Sequence, residues 1–149
     1  MSVDDVVVEV RQENKDQFFI QFAYPTVSGA LHVGHLRSYV PPDIQARFRR
    51  LNGENVFFPL GFHATGIDCL VLFDKIKKDP TVVEDYKIPV EEVEGIQTVF
   101  QLEKLLERRI TRSMMDANLS LDYDTAVATL DPHYNRFIEW QMEKLFEKD

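Results

Sequence analysis

Unbroken apolar runs alternate along the chain with segments whose apolar residues recur every three or four positions, and this sets the predicted order of strands and helices. Phe18 to Ala23 is apolar and aromatic on both faces, the pattern of a strand covered from two sides. Pro25, Ser28 and Gly29 break it. From Val33 to Leu51, apolar Leu36, Tyr39, Val40, Ile44 and Phe48 stand at helical spacing. Pro41 and Pro42 fall inside that helix, where a proline removes a backbone donor and costs about 3 kcal/mol. The helix is therefore kinked, or it is two helices meeting at Val40. Asn52-Gly53 closes it, and Asn55 to Pro59 reads as a second strand ended by its proline. Strand, helix and strand over roughly 40 residues make a βαβ unit, whose strands run parallel. Gly61 to Gly66 follows as a loop on the same sheet edge as the first junction, so the two loops face one crevice.

The remainder is mainly helical. An amphipathic helix is expected over Ile67–Lys78, with Leu70, Val71 and Phe73 apolar and lysines at its end. A linker runs from Asp79 to Pro89. A long helix then starts at Val90 or Ile96 and continues to Ala117, with Val99, Phe100, Leu102, Leu105, Leu106, Ile110 and Met114 on one face. A short strand is expected around Leu121 to Tyr123. Asp131-Pro132 reads as an N-cap and first-turn proline opening a last helix through Phe146. Residues 1–16, with Val6 to Val10, form an edge strand or an arm. The fold class is thus α/β: the first half of a Rossmann-like nucleotide-binding fold over 17–66, followed by a helical region over 67–149 in one domain.

Composition narrows the function. With 44% hydrophobic and 28% charged residues the chain reads as an ordinary globular protein, and no apolar run approaches the roughly 20 residues that span a bilayer. The acidic start, Met1 to Asp5, is unlike a signal peptide, and the lone Cys69 suits a reducing cytoplasm. A net charge of −8 argues against gripping nucleic acid with this chain alone. Arg37, Arg47, Arg49 and Arg50 nevertheless cluster in one helix and leave room for a local anion site.

The candidate chemistry lies at the first junction. His32 and His35 share one face of a helix start, where outward amides and the peptide dipoles favour phosphate. Gly34 between them removes a side chain where a nucleotide would approach the backbone. Three readings fit this spacing: a phosphate site, half of a metal site completed by Cys69, His63 or carboxylates, and two surface histidines that cap nothing.

The surrounding residues add a resemblance. Phe22-Ala-Tyr-Pro25, His32-Val-Gly-His35, Asp43 to Arg50, Gly53 to Pro59 and Gly61-Phe-His-Ala-Thr-Gly66 occur in this order. Together they resemble the N-terminal catalytic half of a class I aminoacyl-tRNA synthetase, whose signature is His-x-Gly-His. The aromatic-x-Tyr-Pro entry and the Gly-Phe-His-x-Thr-Gly loop look like the leucyl-tRNA synthetases of archaeal and eukaryotic type. Valyl and isoleucyl enzymes usually carry a Trp-Asp-like or Thr-Asp-like pair where Phe62-His63 stands. The likeness continues through Asp131 to Gln141 and covers roughly residues 17–147.

That resemblance implies ATP, accompanied by Mg²⁺, bound at His32, Gly34 and His35, with His32 and His35 also serving the catalytic step. It implies an amino-acid site at Phe22, Tyr24, His63 and Thr65. The implied reaction is attack of the leucine carboxylate on the α-phosphate, giving leucyl-adenylate and pyrophosphate without a protein nucleophile. Each residue has a plainer reading: Phe22 as the end of a core strand, Tyr24 packed on Pro25, and Thr65 as a loop hydroxyl bonded to its own backbone. Cys69 is expected to be a buried apolar residue, and His133 exposed.

The family's second signature, Lys-Met-Ser-Lys-Ser or a variant, does not occur in this sequence. Activation is therefore expected to need a second half, and tRNA to be reached only through other domains or a partner chain. Half a doubly wound sheet exposes apolar surface, which implies a complementary subunit or a homodimer. The alternative is a synthetase-derived binding or assembly module without activation chemistry, using the long helix as its surface. A third reading is a stand-alone nucleotidyl transferase with the same histidine signature.

Overall fold

In the computed structural model, which describes residues 17–148, strand β1 (Gln17–Phe19) pairs in parallel with β2 (Asn55–Phe57), Phe18 standing opposite Val56. The edge strand or arm expected within residues 1–16 lies outside the described residues. Between the two strands runs α1 (Val33–Leu51), so the parallel βαβ unit is present. The regular part of β1 is shorter than Phe18–Ala23. Its ladder continues only to Ile20 N–H on Phe57 O at 3.1 Å, and pairing resumes at an isolated parallel bridge between Thr26 and His63. The gap faces Pro59, which has no amide to donate.

Pro59 does not end the second strand, as the sequence suggested; it opens β3 (Pro59–Phe62), all four of whose residues are buried. Gly61 and Phe62 are thereby strand rather than loop. β3 takes a new parallel partner, β4 (Asp122–Ala128), with Pro59 opposite Asp122 and Gly61 opposite Val127. The register is irregular between those pairs, as a proline in an interior strand requires. Asp122 repairs the interruption, its carboxylate accepting the Phe58 N–H at 2.6 Å. Residues 55–63 thus run between 17–27 on one side and 122–129 on the other. β4 is longer than the strand expected around Leu121 to Tyr123.

The helices largely follow the hydrophobic pattern. α2 (Ile67–Lys78) has the expected bounds but buries Cys69, Leu72 and Ile76, leaving Leu70 and Val71 exposed. The expected linker coils as a 3-10 helix at Pro80–Tyr86. The long helix is divided: α3 (Val90–Val93) ends before Gly95, whose φ is +87°, and α4 (Val99–Asp116) starts afresh. Thr98 and Gln101 form a reciprocal capping box there, Gln101 N–H donating to Thr98 Oγ1 and Thr98 N–H to Gln101 Oε1. α4 buries Leu102, Leu105, Leu106, Ile110 and Met114. With Val27, Phe58 and Leu60 they make the centre of the core.

α5 (Pro132–Phe146) has no buried residue, so Trp140 and its neighbours lie exposed. Asp131 stands at its N-cap position without capping it. The carboxylate is engaged elsewhere, accepting from Ala128 N–H at 2.7 Å and from Lys104 at 3.1 Å.

α1 is one helix through Pro41 and Pro42, not two meeting at Val40. Its orientation reverses what an apolar stripe ordinarily implies. Ile44 and Phe48 are 61% and 56% exposed, Leu36 and Val40 lie open beside them, and the buried residues are Tyr39, Asp43 and Ala46. The inward face is held by polar bonds. Asp43 Oδ1 accepts from Ser120 N–H and Oγ–H, both at 2.6 Å, and Oδ2 accepts from Arg47 Nε–H at 2.7 Å. Arg47 also donates to the Asn118 carbonyl, and Arg50 donates to Ser120 O at 2.8 Å. Arg49 pairs with Glu54 at 2.9 Å and lies over the Phe18 ring at 4.5 Å.

Burial pushes the Asp43 carboxyl up, but the hydrogen bonds from Ser120 and Arg47 outweigh it and hold the group below the usual carboxylate range. A depressed folded value stabilises the protein above the unfolded value of about 3.9. That contribution disappears as pH falls through the folded value. Asp43→Ala is expected to lower stability by about 2–3 kcal/mol in urea unfolding near pH 7. Asp43→Asn should flatten the acid limb of the stability profile; an unchanged limb would show that Asp43 is not the group responsible.

Candidate functional site

The turn from β1 into α1 and the end of β3 are joined by main-chain bonds. Val27 N–H donates to His63 O at 3.0 Å, and His63 N–H donates to Pro25 O at 2.9 Å. The two segments expected to share a crevice therefore lie side by side at Thr26 and His63. The His63 side chain is exposed. Thr65 is also exposed, and its backbone is set by a residue the sequence did not single out. Thr129, just beyond β4, accepts Ala64 N–H at 2.9 Å and Thr65 N–H at 3.0 Å on its hydroxyl, and also contacts the Thr65 hydroxyl at 3.3 Å. Nothing local marks Thr129; only the parallel pairing of β3 with β4 brings it there.

The two histidines are not idle surface residues, because they cap α1. His32 Nδ1 accepts the Gly34 N–H at 3.1 Å, and His35 Nδ1 accepts the His32 N–H at 3.1 Å. Imidazoles here occupy the places that Ser or Thr and Glu or Gln take in the usual reciprocal cap. Since each Nδ1 accepts, each neutral ring carries its proton on Nε2. The site therefore holds two Nε2–H donors on rings whose centres are 4.0 Å apart.

Two of the amides expected to receive an anion are already engaged: the Gly34 amide by His32 Nδ1 and the His35 amide by His32 O at 2.9 Å. Gly34 has a steric reason of its own. A Cβ there would lie 2.8 Å from His32 Cε1, so the glycine makes room for the ring to fold back onto the helix.

An aromatic row supports the pair. His35 lies 5.8 Å from Tyr39, Tyr39 lies 4.4 Å from Phe22, and Phe22 meets Tyr24 edge-on at 6.3 Å. Phe22 is only 8% exposed and also packs edge-on against Phe58, so it belongs to the core and backs the half-buried Tyr24. The Tyr24 ring lies across Gly61. Burial, and then Tyr134 of α5, push the Tyr24 hydroxyl above its ordinary range.

The remaining candidates sort plainly. Burial, with Glu103 and Glu107 nearby, pushes the Cys69 thiol up to about 12, which removes it as a nucleophile or thiolate ligand at neutral pH. Among the described residues no group of three or more His, Cys, Asp or Glu could hold a metal ion. His133 is exposed beside Arg136. Three members of the arginine cluster, Arg47, Arg49 and Arg50, are bound to the protein's own carboxylates and carbonyls, so these three act as a structural clamp. No helix among the described residues is long and apolar enough to cross a membrane.

Residues 5–149 match the family described as "tRNA synthetases class I (I, L, M and V)", and the chain belongs to that family. The particular relatives are leucine–tRNA ligases. That of Methanococcoides burtonii is 37% identical over 148 residues, covering 96% of this chain and 15% of the relative. That of Pyrobaculum arsenaticum is 41% identical over 137 residues, covering 89% of this chain and 14% of the relative. Among solved structures, the Agrobacterium radiobacter K84 agnB2 LeuRS in a ternary complex with tRNA and LeuAMS superposes with a TM-score of 0.69 at 22% identity. It covers 91% of this chain and 15% of that one, and supports the fold. The chain thus spans about 15% of the length of these relatives. Family membership sets aside the stand-alone nucleotidyl transferase.

Burial and the charge of His32 lower the His35 pKa against the opposing effect of its backbone bond. A proton on Nδ1 would also end its acceptance from His32. The cap is therefore whole above about pH 6.5 and is lost as pH falls through the folded value. ¹⁵N spectra of His35 are expected to show the Nε2–H tautomer and a titration midpoint below 6.5. An Nδ1–H tautomer at neutral pH would disprove the cap.

Proposed function

We propose that this chain is the ATP- and leucine-binding half of a leucyl-tRNA synthetase catalytic domain, activating leucine as leucyl-adenylate once joined to the part that carries the lysine-rich loop. The observation that carries the reading is the pair of Nε2–H donors on His32 and His35, on rings whose centres lie 4.0 Å apart at the start of α1. Such donors stabilise the negative charge that grows on phosphate oxygens as the carboxylate attacks. His32, Gly34 and His35 are assigned to ATP and its accompanying Mg²⁺. Tyr24, backed by Phe22, is assigned to the amino-acid side chain, and His63 and Thr65 to the rest of that site. Their support is adjacency: Phe22 and Tyr24 continue the row of rings from His35, and His63 is bonded to Pro25 and Val27, just after them in the chain.

Two anions must be held against their repulsion, and positioning supplies much of the barrier reduction in such a reaction. With Nδ1 engaged by the cap, each imidazole offers Nε2–H as a hydrogen-bond donor, and the lysine loop and Mg²⁺ would supply positive charge. tRNA is reached through other domains or a partner chain, in the cytoplasm. The open stripe of α1 and the unburied α5 favour a covering partner, either the complementary part of a synthetase or a second copy. The assembly-module alternative loses its proposed surface, because the apolar face of α4 packs inside this chain.

Supplied with a complementary half bearing the lysine-rich loop, the chain is expected to exchange labelled pyrophosphate into ATP with leucine, above the rates with isoleucine, valine or methionine. Replacing both His32 and His35 with Ala should reduce exchange at least about 100-fold. No leucine-dependent exchange above background would refute the proposed activity.

A further inference from the structure

Gly61 is a glycine whose backbone does not call for one. The glycines with positive φ among the described residues are Gly53, Gly66 and Gly95, whereas Gly61 is a buried β3 residue paired with Val127. Its reason is steric. A Cβ at this position would lie 2.3 Å from Tyr24 Cε2, 2.5 Å from Cδ2 and 2.6 Å from Cζ. Ordinary contacts between carbons are about 3.5–4.0 Å, so the ring rests where that side chain would be.

Neither neighbour yields readily. β3 is flanked by Leu60 and Phe62 in the core and tied to β4 on one side. On the other, the next residue, His63, is tied to Pro25 and Val27. Tyr24 is confined by the Phe22 edge, which Tyr39 and Phe58 hold in turn, and its hydroxyl donates to Gln21 Oε1 at 3.4 Å. A Cβ at 61 leaves the ring one way out, toward its exposed side.

We propose that Gly61 is a specificity-determining positioning residue, seating Tyr24 against β3 and thereby setting the room left for the amino-acid side chain. The inference rests on the assignment of Tyr24 to that side chain. Gly61 touches no substrate itself; it acts through the tyrosine. A side chain at 61 lifts the ring into the space the substrate needs, while the histidine pair, on another element, keeps its cap and its donors.

The test uses the full chain with the complementary half, comparing wild type, Gly61→Ala and Gly61→Ala/Tyr24→Ala, each checked for folding by circular dichroism. Gly61→Ala is expected to raise the KM for leucine on the order of 10- to 100-fold, leaving the KM for ATP within about twofold. The double variant removes the clash, keeps the protein testable if the single variant does not fold, and should bring leucine and bulkier aliphatic side chains to similar KM values. Gly61→Ala with an unchanged leucine KM, or with leucine and ATP affected equally, would overturn this role and leave the activity standing. A double variant that discriminates among aliphatic side chains as wild type does would overturn it too. Absence of leucine-dependent exchange in wild type would overturn the activity and this role together.

Discussion

The parallel bridge between Thr26 and His63 is the contact on which the candidate site depends. It joins two segments that the sequence separates by a helix and a strand. It also comes after a gap in the ladder that Pro59 imposes. Main-chain bonds at that point set the depth at which Tyr24, Gly61 and Thr65 lie, and they use no side chain that chemistry would need. Asp122 and Thr129, on the opposite flank of the same strand, supply side-chain acceptors to the amides of Phe58, Ala64 and Thr65. The middle strand is therefore held from both sides at the places where regular pairing lapses.

A second constraint acts on α1. Its apolar stripe faces out, and its inner face is tied by Asp43, Arg47 and Arg50 to residues 118–122. A buried carboxylate is costly unless its bonds are complete, and Asp43 meets that condition by accepting three. The clamp positions the helix while leaving Ile44 and Phe48 exposed. The family relation gives that exposure its context, since the relatives are several times longer than this chain.

The signature histidines cap α1 through one atom of each ring. Nδ1 of each satisfies an amide at the start of α1, and Nε2–H takes no part in the cap. The arrangement explains why Gly34 lies between them, since the folded-back His32 ring occupies the space of a side chain there. The aromatic row from His35 through Tyr39 and Phe22 to Tyr24 then connects the histidine pair to Tyr24 by packing alone.

Local pattern was enough to read the parallel βαβ unit, the bounds of α2 and α5, the buried face of α4 apart from the exposed Phe100, and the family, because periodicity and short motifs express what neighbours along the chain require. It misplaced what depends on distant partners. The same stripe, Leu36, Val40, Ile44 and Phe48, suits a helix that turns it to the core or one that leaves it open, and only the Asp43–Ser120 bonds decide between them. Pro59 reads as a strand terminator until Asp122 is seen to accept the Phe58 amide. The motif residues His32, His35, His63 and Thr65 were legible as types and spacings. The atoms they offer became visible only when hydrogen bonds assigned each histidine Nδ1 at the start of α1 to an amide there, the His63 amide to Pro25 O and the Thr65 amide to Thr129. Sequence by itself determined which elements form and what family they belong to; tertiary structure decided which faces are buried and which donors stay free, because burial and hydrogen-bond pairing are settled between residues far apart in the chain.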